Sequence, residues 1–309
     1  MNPKSILKDT LTGRRIARYI YITKGGRAWS GRRVARLYYF NKSGNFGDVL
    51  NKRLMDYFGV RYVYSHPLAS DLTCIGSNLQ EYVGRFNKKI SDKSIVNVFG
   101  SGFIHEIDSA GAFLFPVKIW AVRGNLTRQR CERLLDQSLD TITLGDPGLL
   151  IKRMFPHIKR DKKSDIVGVV CHYADAGNRS VENIKITGQK VILIDVQQPP
   201  EAFVKQVAEC GFILASAMHG LICADSLGIP NRHIILSGNV KGGSYKFKDY
   251  YSVFPKFTYS PVDLRRRTIT DRDLERFKQN YSITESEVDK ICDGLERQFG
   301  LMAQKNGWI

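Results

Sequence analysis

An imidazole and a hydroxyl stand three residues apart in the run Ala215-Ser216-Ala217-Met218-His219-Gly220-Leu221-Ile222. A histidine gives or takes a proton near neutral pH, so His219 is the first candidate for acid–base chemistry. Its surroundings say where it stands. The apolar run 210–215 reads as a buried strand, and Met218, Leu221, Ile222 and Leu227 then recur at helical spacing until Gly228 and Pro230 end the helix. Ser216 and His219 therefore fall at a strand-to-helix turn. Free backbone N–H groups and the positive end of a helix dipole make such a turn an anion seat. The competing reading is that His219 only caps or packs the helix.

Other segments deliver polar residues at the same kind of turn. Arg36-Leu37-Tyr38-Tyr39-Phe40 reads as a strand and runs into Gly44-Asn45-Phe46-Gly47-Asp48, after which Val49, Leu50, Leu54, Tyr57 and Phe58 repeat at helical spacing. Gly44 and Gly47 allow close approach of the backbone to a ligand, and Asp48 either caps the helix or faces the ligand. The strand 94–99 ends in Gly100-Ser101-Gly102. The strand 117–122 ends in Arg123, which can grip a carboxylate or phosphate with two parallel bonds or form an ordinary salt bridge. In the later half the strand 166–173 ends in His172, and a glycine-rich loop over 237–244 precedes Lys246.

The elements that position these residues alternate strand, loop and helix twice over. The expected fold class is α/β, with two Rossmann-like, doubly wound domains facing a cleft. One spans 37–155 and the other 165–260, parted by a polar, basic stretch at 152–164. A basic arm covers 1–36. Helices cover 261–309, where Thr284 with Glu287 forms a capping box and Val288, Ile291, Leu295 and Phe299 form one apolar face. The cleft would collect Asn45, Gly47, Asp48, Ser101, Gly102 and Arg123 from one half, and His172, Ser216, His219, Gly220 and Lys246 from the other. Ligands of open α/β sheets bind at such edges.

Composition narrows the class. The 309 residues are 43% apolar and 25% charged, and 47 Lys+Arg against 30 Asp+Glu give a net charge of +17. That balance favours anionic partners. The basic arm, with Asp9 as its single acid, is a candidate for an anionic membrane surface or a solvated tail. Nucleic acid is not expected, because no binding motif accompanies the charge. The glycine loops match neither the dinucleotide fingerprint nor a P-loop. Six cysteines are scattered without C-x-x-C pairs, which argues against a disulfide framework or zinc site and for a reducing compartment. No metal-ligand spacing is visible, and neither a metal nor a cofactor is expected. With no apolar run long enough to span a bilayer and no signal-peptide core, the expectation is a cytoplasmic protein, peripheral at the inner face of the membrane.

Taken together and in order, five segments resemble the polysaccharide pyruvyl transferase family: Gly44-Asn45-Phe46-Gly47-Asp48, Phe99-Gly100-Ser101-Gly102, Val122-Arg123-Gly124-Asn125-Leu126-Thr127, Gly145-Asp146-Pro147, and residues 216–230, with Lys246-Phe247-Lys248-Asp249-Tyr250 in support. The resemblance covers roughly 36–255. It implies a glycosyltransferase-B-like fold and transfer of a pyruvyl group from phosphoenolpyruvate onto two hydroxyls of a sugar, closing a ketal. The acceptor it implies is a surface-polysaccharide repeat unit carried on a polyprenyl lipid. His219 matches the family's motif histidine as general acid or base. Arg123 would clamp the donor's carboxylate or phosphate, and Asp48 would orient or deprotonate an acceptor hydroxyl. Ser216 and Gly220 would present N–H or hydroxyl groups to the phosphate. One departure stands out: many members carry an arginine two residues before the histidine, where this chain has Ala217, so Lys246 or Arg128 would supply the charge.

Two rivals share the same residues. A glycosyltransferase of the same fold would use a nucleotide sugar, and a non-catalytic module would dock on membranes or polysaccharide.

Overall fold

The computed structural model describes residues 33–84, 95–106 and 111–309. In chain order the first half contains β1 (Ala35–Tyr38), α1 (Phe46–Tyr57), β2 (Tyr62–Tyr64), β3 (Leu72–Thr73), β4 (Val83–Gly84), β5 (Val96–Ser101), β6 (Ala112–Phe113), β7 (Val117–Val122), α2 (Asn125–Leu135), β8 (Thr143–Leu144) and α3 (Ile151–Met154). The second contains β9 (Val167–Val170), β10 (Ile184–Lys185), β11 (Val191–Ile194), α4 (Pro200–Ala208), β12 (Phe212–Ala215), α5 (Met218–Ser226), β13 (Asn231–Ile235), α6 (Tyr245–Tyr251), β14 (Val262–Asp263), β15 (Ile269–Thr270), α7 (Asp271–Gln279) and α8 (Glu285–Asn306).

Two large parallel sheets result, ordered β2-β1-β3-β5-β7-β8 and β11-β9-β12-β13-β14, beside the two-stranded pairs β10-β15 and β4-β6. Each is wound in both directions from its first strand, β1 or β9, which stands one place in from an edge, the pattern that gathers loops at the carboxyl edge. β5, β9 and β12 are buried along their whole length, as strands covered on both faces must be. Asn97 within β5 is no exception to the buried-polar rule. Its amide donates to the Asp71 carbonyl at 3.0 Å, and its oxygen accepts from Trp120 Nε1 at 2.8 Å.

Several boundaries differ from the sequence reading. β1 begins at Ala35, inside the stretch read as the basic arm, while residues 1–32 lie outside the described residues. β14, the fifth strand of the second sheet, lies just past residue 260. The helix α8 carries the expected capping box and ends on Gly307 at φ 69°, a left-handed position that suits glycine. It packs against the first half: Phe299 stacks on Phe58 at 3.8 Å and meets Phe99 edge-on at 4.9 Å. α4 crosses likewise, with Phe203 stacked on Phe46 of α1 at 4.1 Å. One hydrophobic core therefore runs through both halves and packs them against each other.

Candidate functional site

The turn between β12 and α5 is shaped by Ser216. Its amide donates to the Val170 carbonyl at 3.0 Å, its hydroxyl accepts from the His172 amide at 2.9 Å, and the same hydroxyl donates to Asp175 Oδ2 at 2.7 Å. Asp175 Oδ1 accepts from the Ser237 hydroxyl. One buried carboxylate thus ties the loops after β9, β12 and β13 at a single sheet edge. Gly220 donates its amide to the Ala217 carbonyl at 3.0 Å. Ser216 and Gly220 are accordingly occupied in building the turn. The amides of Met218 and His219, in the first turn of α5, have no intrahelical acceptor.

His219 projects from this turn onto Gly47 of the first half. A Cβ on Gly47 would lie 2.0 Å from His219 Nδ1, so only glycine lets the ring lie there. The imidazole is 7% exposed, and its Nε2 is buried without a hydrogen-bond partner. Burial, then the positive charges of Lys246 and Arg123, push its pKa down to about 3. It is a neutral ring at physiological pH. His172, beside it, is lowered to about 4 by burial and by Lys246, and its Nδ1 accepts from the Ala174 amide at 3.1 Å.

Two further groups complete the cluster, each with its pKa moved toward neutrality by burial. Burial lifts Asp48 to about 7, against the opposing pull of Ser43, Lys246 and Asn45. Burial, then Arg123, lowers Lys246 to about 8, against Asp48 and Asp175. A carboxyl and an ammonium that both titrate near neutrality, next to a neutral imidazole, form an acid–base set. Asn45 precedes α1, and its Oδ1 is buried and unpartnered.

Arg123 is used differently from the ligand clamp expected of it. The guanidinium is fully buried: Nε donates to Asp249 Oδ2 at 2.9 Å, Nη1 to Ser77 Oγ at 2.8 Å and Nη2 to the Phe103 carbonyl at 2.6 Å. Gly102 leaves room for it, since a Cβ there would sit 2.4 Å from the guanidinium carbon. Ser101 donates its hydroxyl to the Gly76 carbonyl at 2.9 Å and so supports the same wall. Asp249 also accepts from the Thr127 amide and hydroxyl at 2.8 and 2.6 Å. Asn125 bonds Ser252 through its amide N–H and side chain, both at 2.8 Å. A Cβ on Gly124 would lie 1.8 Å from the Asp249 carbonyl oxygen. The segments around Arg123 and around Lys246, separate in the sequence, are two sides of one interlock that fixes α6 and hence Lys246. Arg128, the other replacement cation considered, is engaged elsewhere with Asp140 at 3.5 Å.

The sequence model of the polysaccharide pyruvyl transferase family matches residues 16–237. The chain belongs to that family. An uncharacterized protein of Acanthamoeba polyphaga mimivirus is 30% identical over 166 residues, which is 53% of this chain and 56% of the viral protein. A solved structure of an uncharacterized protein from Klebsiella pneumoniae aligns with 85% of this chain and 99% of its own at 12% identity and a TM-score of 0.40. In this member of the family, Ala217 is buried and Lys246 is the titratable cation whose charge reaches His219.

Sequence reasoning passed over Asp175 and gave Asp249 no role. For Asp175 the available signal was an acid three residues beyond the strand-end His172. For Asp249 it was an acid three residues from Lys246 on one helix face, where i,i+3 neighbours share a surface. Among the described residues no group of three His, Cys, Asp or Glu side chains is arranged to hold a metal ion, and no helix is long and apolar enough to cross a membrane. The six cysteines are free thiols.

Proposed function

We propose that the chain transfers a pyruvyl group from phosphoenolpyruvate to two hydroxyls of a sugar in a polysaccharide repeat unit, closing a ketal and releasing inorganic phosphate. The observation that carries this reading is the convergence of Lys246, Asp48 and the unpartnered imidazole of His219 where the two halves touch. Phosphoenolpyruvate brings a carboxylate and a phosphate, and Lys246 with the free amides of the α5 turn supplies positive charge and donors.

Asp48 in its protonated form gives a proton to the methylene carbon of phosphoenolpyruvate, which makes C2 electrophilic. The first sugar hydroxyl adds to C2 as its proton passes to His219. The second hydroxyl then displaces phosphate, and the two hydroxyl protons end on Asp48 and on the phosphate. Atoms and protons balance: one proton enters the new methyl group and one leaves with phosphate. The negative charge of the bound donor offsets the positive field of Lys246 and Arg123, so its binding raises the proton affinity of His219 when a base is needed. Positioned proton transfer of this kind contributes about 10²–10⁴-fold in rate. The acceptor is proposed to be lipid-linked and met at the cytoplasmic face of an anionic membrane, a reading supported by the net charge of +17.

The test is incubation with phosphoenolpyruvate and sugars bearing neighbouring hydroxyls, following phosphate release and the mass gained by the sugar. Phosphate release that depends on both substrates and is lost in His219→Ala is the expected result. Tight binding of nucleoside diphosphates with no reaction of phosphoenolpyruvate would instead mark a glycosyltransferase.

A further inference from the structure

The chemistry above gives no role to Tyr173. It follows β9, the strand from which the second sheet is wound in both directions, so its turn stands at the switch point where open α/β sheets take their ligands. The turn is pinned on both sides. The His172 amide donates to Ser216 Oγ, the Ala174 amide to His172 Nδ1, and the Asp175 amide to the His172 carbonyl at 2.7 Å. The Asp175 carboxylate accepts from the hydroxyls of Ser216 and Ser237. On this fixed turn Asp175 is buried, whereas Tyr173 keeps 37% of its surface exposed.

The exposed ring borders the reacting groups. It leans on the His172 imidazole, with centroids 4.3 Å apart and a tilt of 33°. His172 in turn lies within the field of Lys246 and acts on His219. Burial, then the charge of Asp48, raises the pKa of the Tyr173 hydroxyl. A side chain from the turn after β9 is therefore within electrostatic reach of the carboxyl that follows β1. The two substrates ask different things of this place. Phosphoenolpyruvate is small and anionic, and Lys246 with the α5 amides suits it. The sugar offers no charge to grip, yet two of its hydroxyls must be held at Asp48 and His219. An aromatic face and a free acceptor atom suit it instead, and Asn45 Oδ1, beside Asp48, is buried and unpartnered.

We propose that Tyr173 is the platform of the acceptor sugar: the C–H face of a pyranose packs on its exposed ring and turns two neighbouring hydroxyls towards Asp48 and His219, while Asn45 Oδ1 accepts a hydrogen bond from the sugar. This rests on the pyruvyl-transfer reading and names the seat of the second substrate, a pyranoside whose ring C–H bonds gather on one face. Such a face is apolar, so covering it with an aromatic ring stabilises the complex without any charge on the sugar. Tyrosine supplies that area at low entropic cost, because only two side-chain torsions must be fixed, and the contact with His172 already restrains the ring.

The experiment is saturation-transfer NMR of the full chain with the methyl pyranosides of glucose and galactose, without phosphoenolpyruvate, and with mannitol as an open-chain polyol that has no ring face. The wild type is expected to pass saturation chiefly to the C–H protons of one sugar face and little to mannitol. Tyr173→Ala is expected to weaken sugar binding about 10–100-fold, and Tyr173→Phe to restore it. In turnover the alanine change should raise the acceptor KM by a similar factor, with a smaller effect on kcat and none on the KM of phosphoenolpyruvate. Equal transfer to mannitol, no binding of either pyranoside by the wild type, or wild-type sugar affinity in Tyr173→Ala overturns the proposal. The wild-type spectrum needs no folded variant. The two readings also fail separately. Sugar held on the Tyr173 ring by a chain that never turns over phosphoenolpyruvate would uphold the platform and defeat the transferase reading. Turnover at an unchanged acceptor KM in Tyr173→Ala would do the reverse.

Discussion

Arg123 and His219 are both withdrawn from water, at 0% and 7% exposure, and they sit close enough for one to depress the pKa of the other. Their accounts of hydrogen bonding are opposite. All three guanidinium nitrogens of Arg123 have partners, and the carboxylate it meets is bonded in turn to Thr127. His219 has a ring nitrogen with none. Burial by itself therefore does not separate structure from chemistry. Satisfaction does: a fully paired buried charge holds the fold, whereas unpaired and pKa-shifted groups await a ligand or a proton.

That contrast can be broken from the satisfied side first. Asp249→Ala leaves the Arg123 guanidinium buried without its carboxylate and frees α6 from α2. A loss of about 3–5 kcal/mol is expected for one member of such a pair, read as the fall in the urea midpoint. Activity should fall with it, since Lys246 loses its seat. An unchanged midpoint would mean that the interlock does not hold the halves together.

Gly47→Ala comes next. The new methyl would meet the His219 ring at 2.0 Å, so the ring or α1 must move. Overpacking of this kind costs about 1–3 kcal/mol. Turnover should be lost while phosphoenolpyruvate binding, which depends on Lys246, is largely retained. Retained turnover would show that the ring's place on Gly47 is not needed.

On the unsatisfied side the expected stability effects depend on pH. The folded-state pKa of Asp48 is raised from 3.8 to about 7, so its contribution to stability is full below 3.8 and is lost as pH rises through about 7. Asp48→Asn should therefore gain melting temperature on the wild type across that interval and keep the gain above it, while losing turnover. A melting difference that does not vary with pH would contradict the raised value.

Much of the frame could be read from the chain alone. Val117–Val122 coincides with β7, and Thr284 with Glu287 caps α8 as the pattern indicates. Short strands such as β3 and β8, two residues each, carry too little alternation to be seen. The seat of α8 on the first sheet was hidden for another reason: an apolar face specifies burial but not against what, and Phe299 meets Phe58 and Phe99 from far along the chain. At the site, residue types marked His219, Asp48 and Lys246. They could not show that Arg123 faces Asp249, because an arginine at a strand end reads alike whether its partner is a ligand or a carboxylate 126 residues away.

The most direct test is calorimetric titration of phosphoenolpyruvate into the wild-type chain and into Lys246→Met, a change that keeps the buried volume and removes the cation. The account predicts binding by the wild type and loss of that binding in Lys246→Met, with the variant still folded. Equal affinity in the two would place the donor elsewhere and contradict the assignment of this cluster as the site.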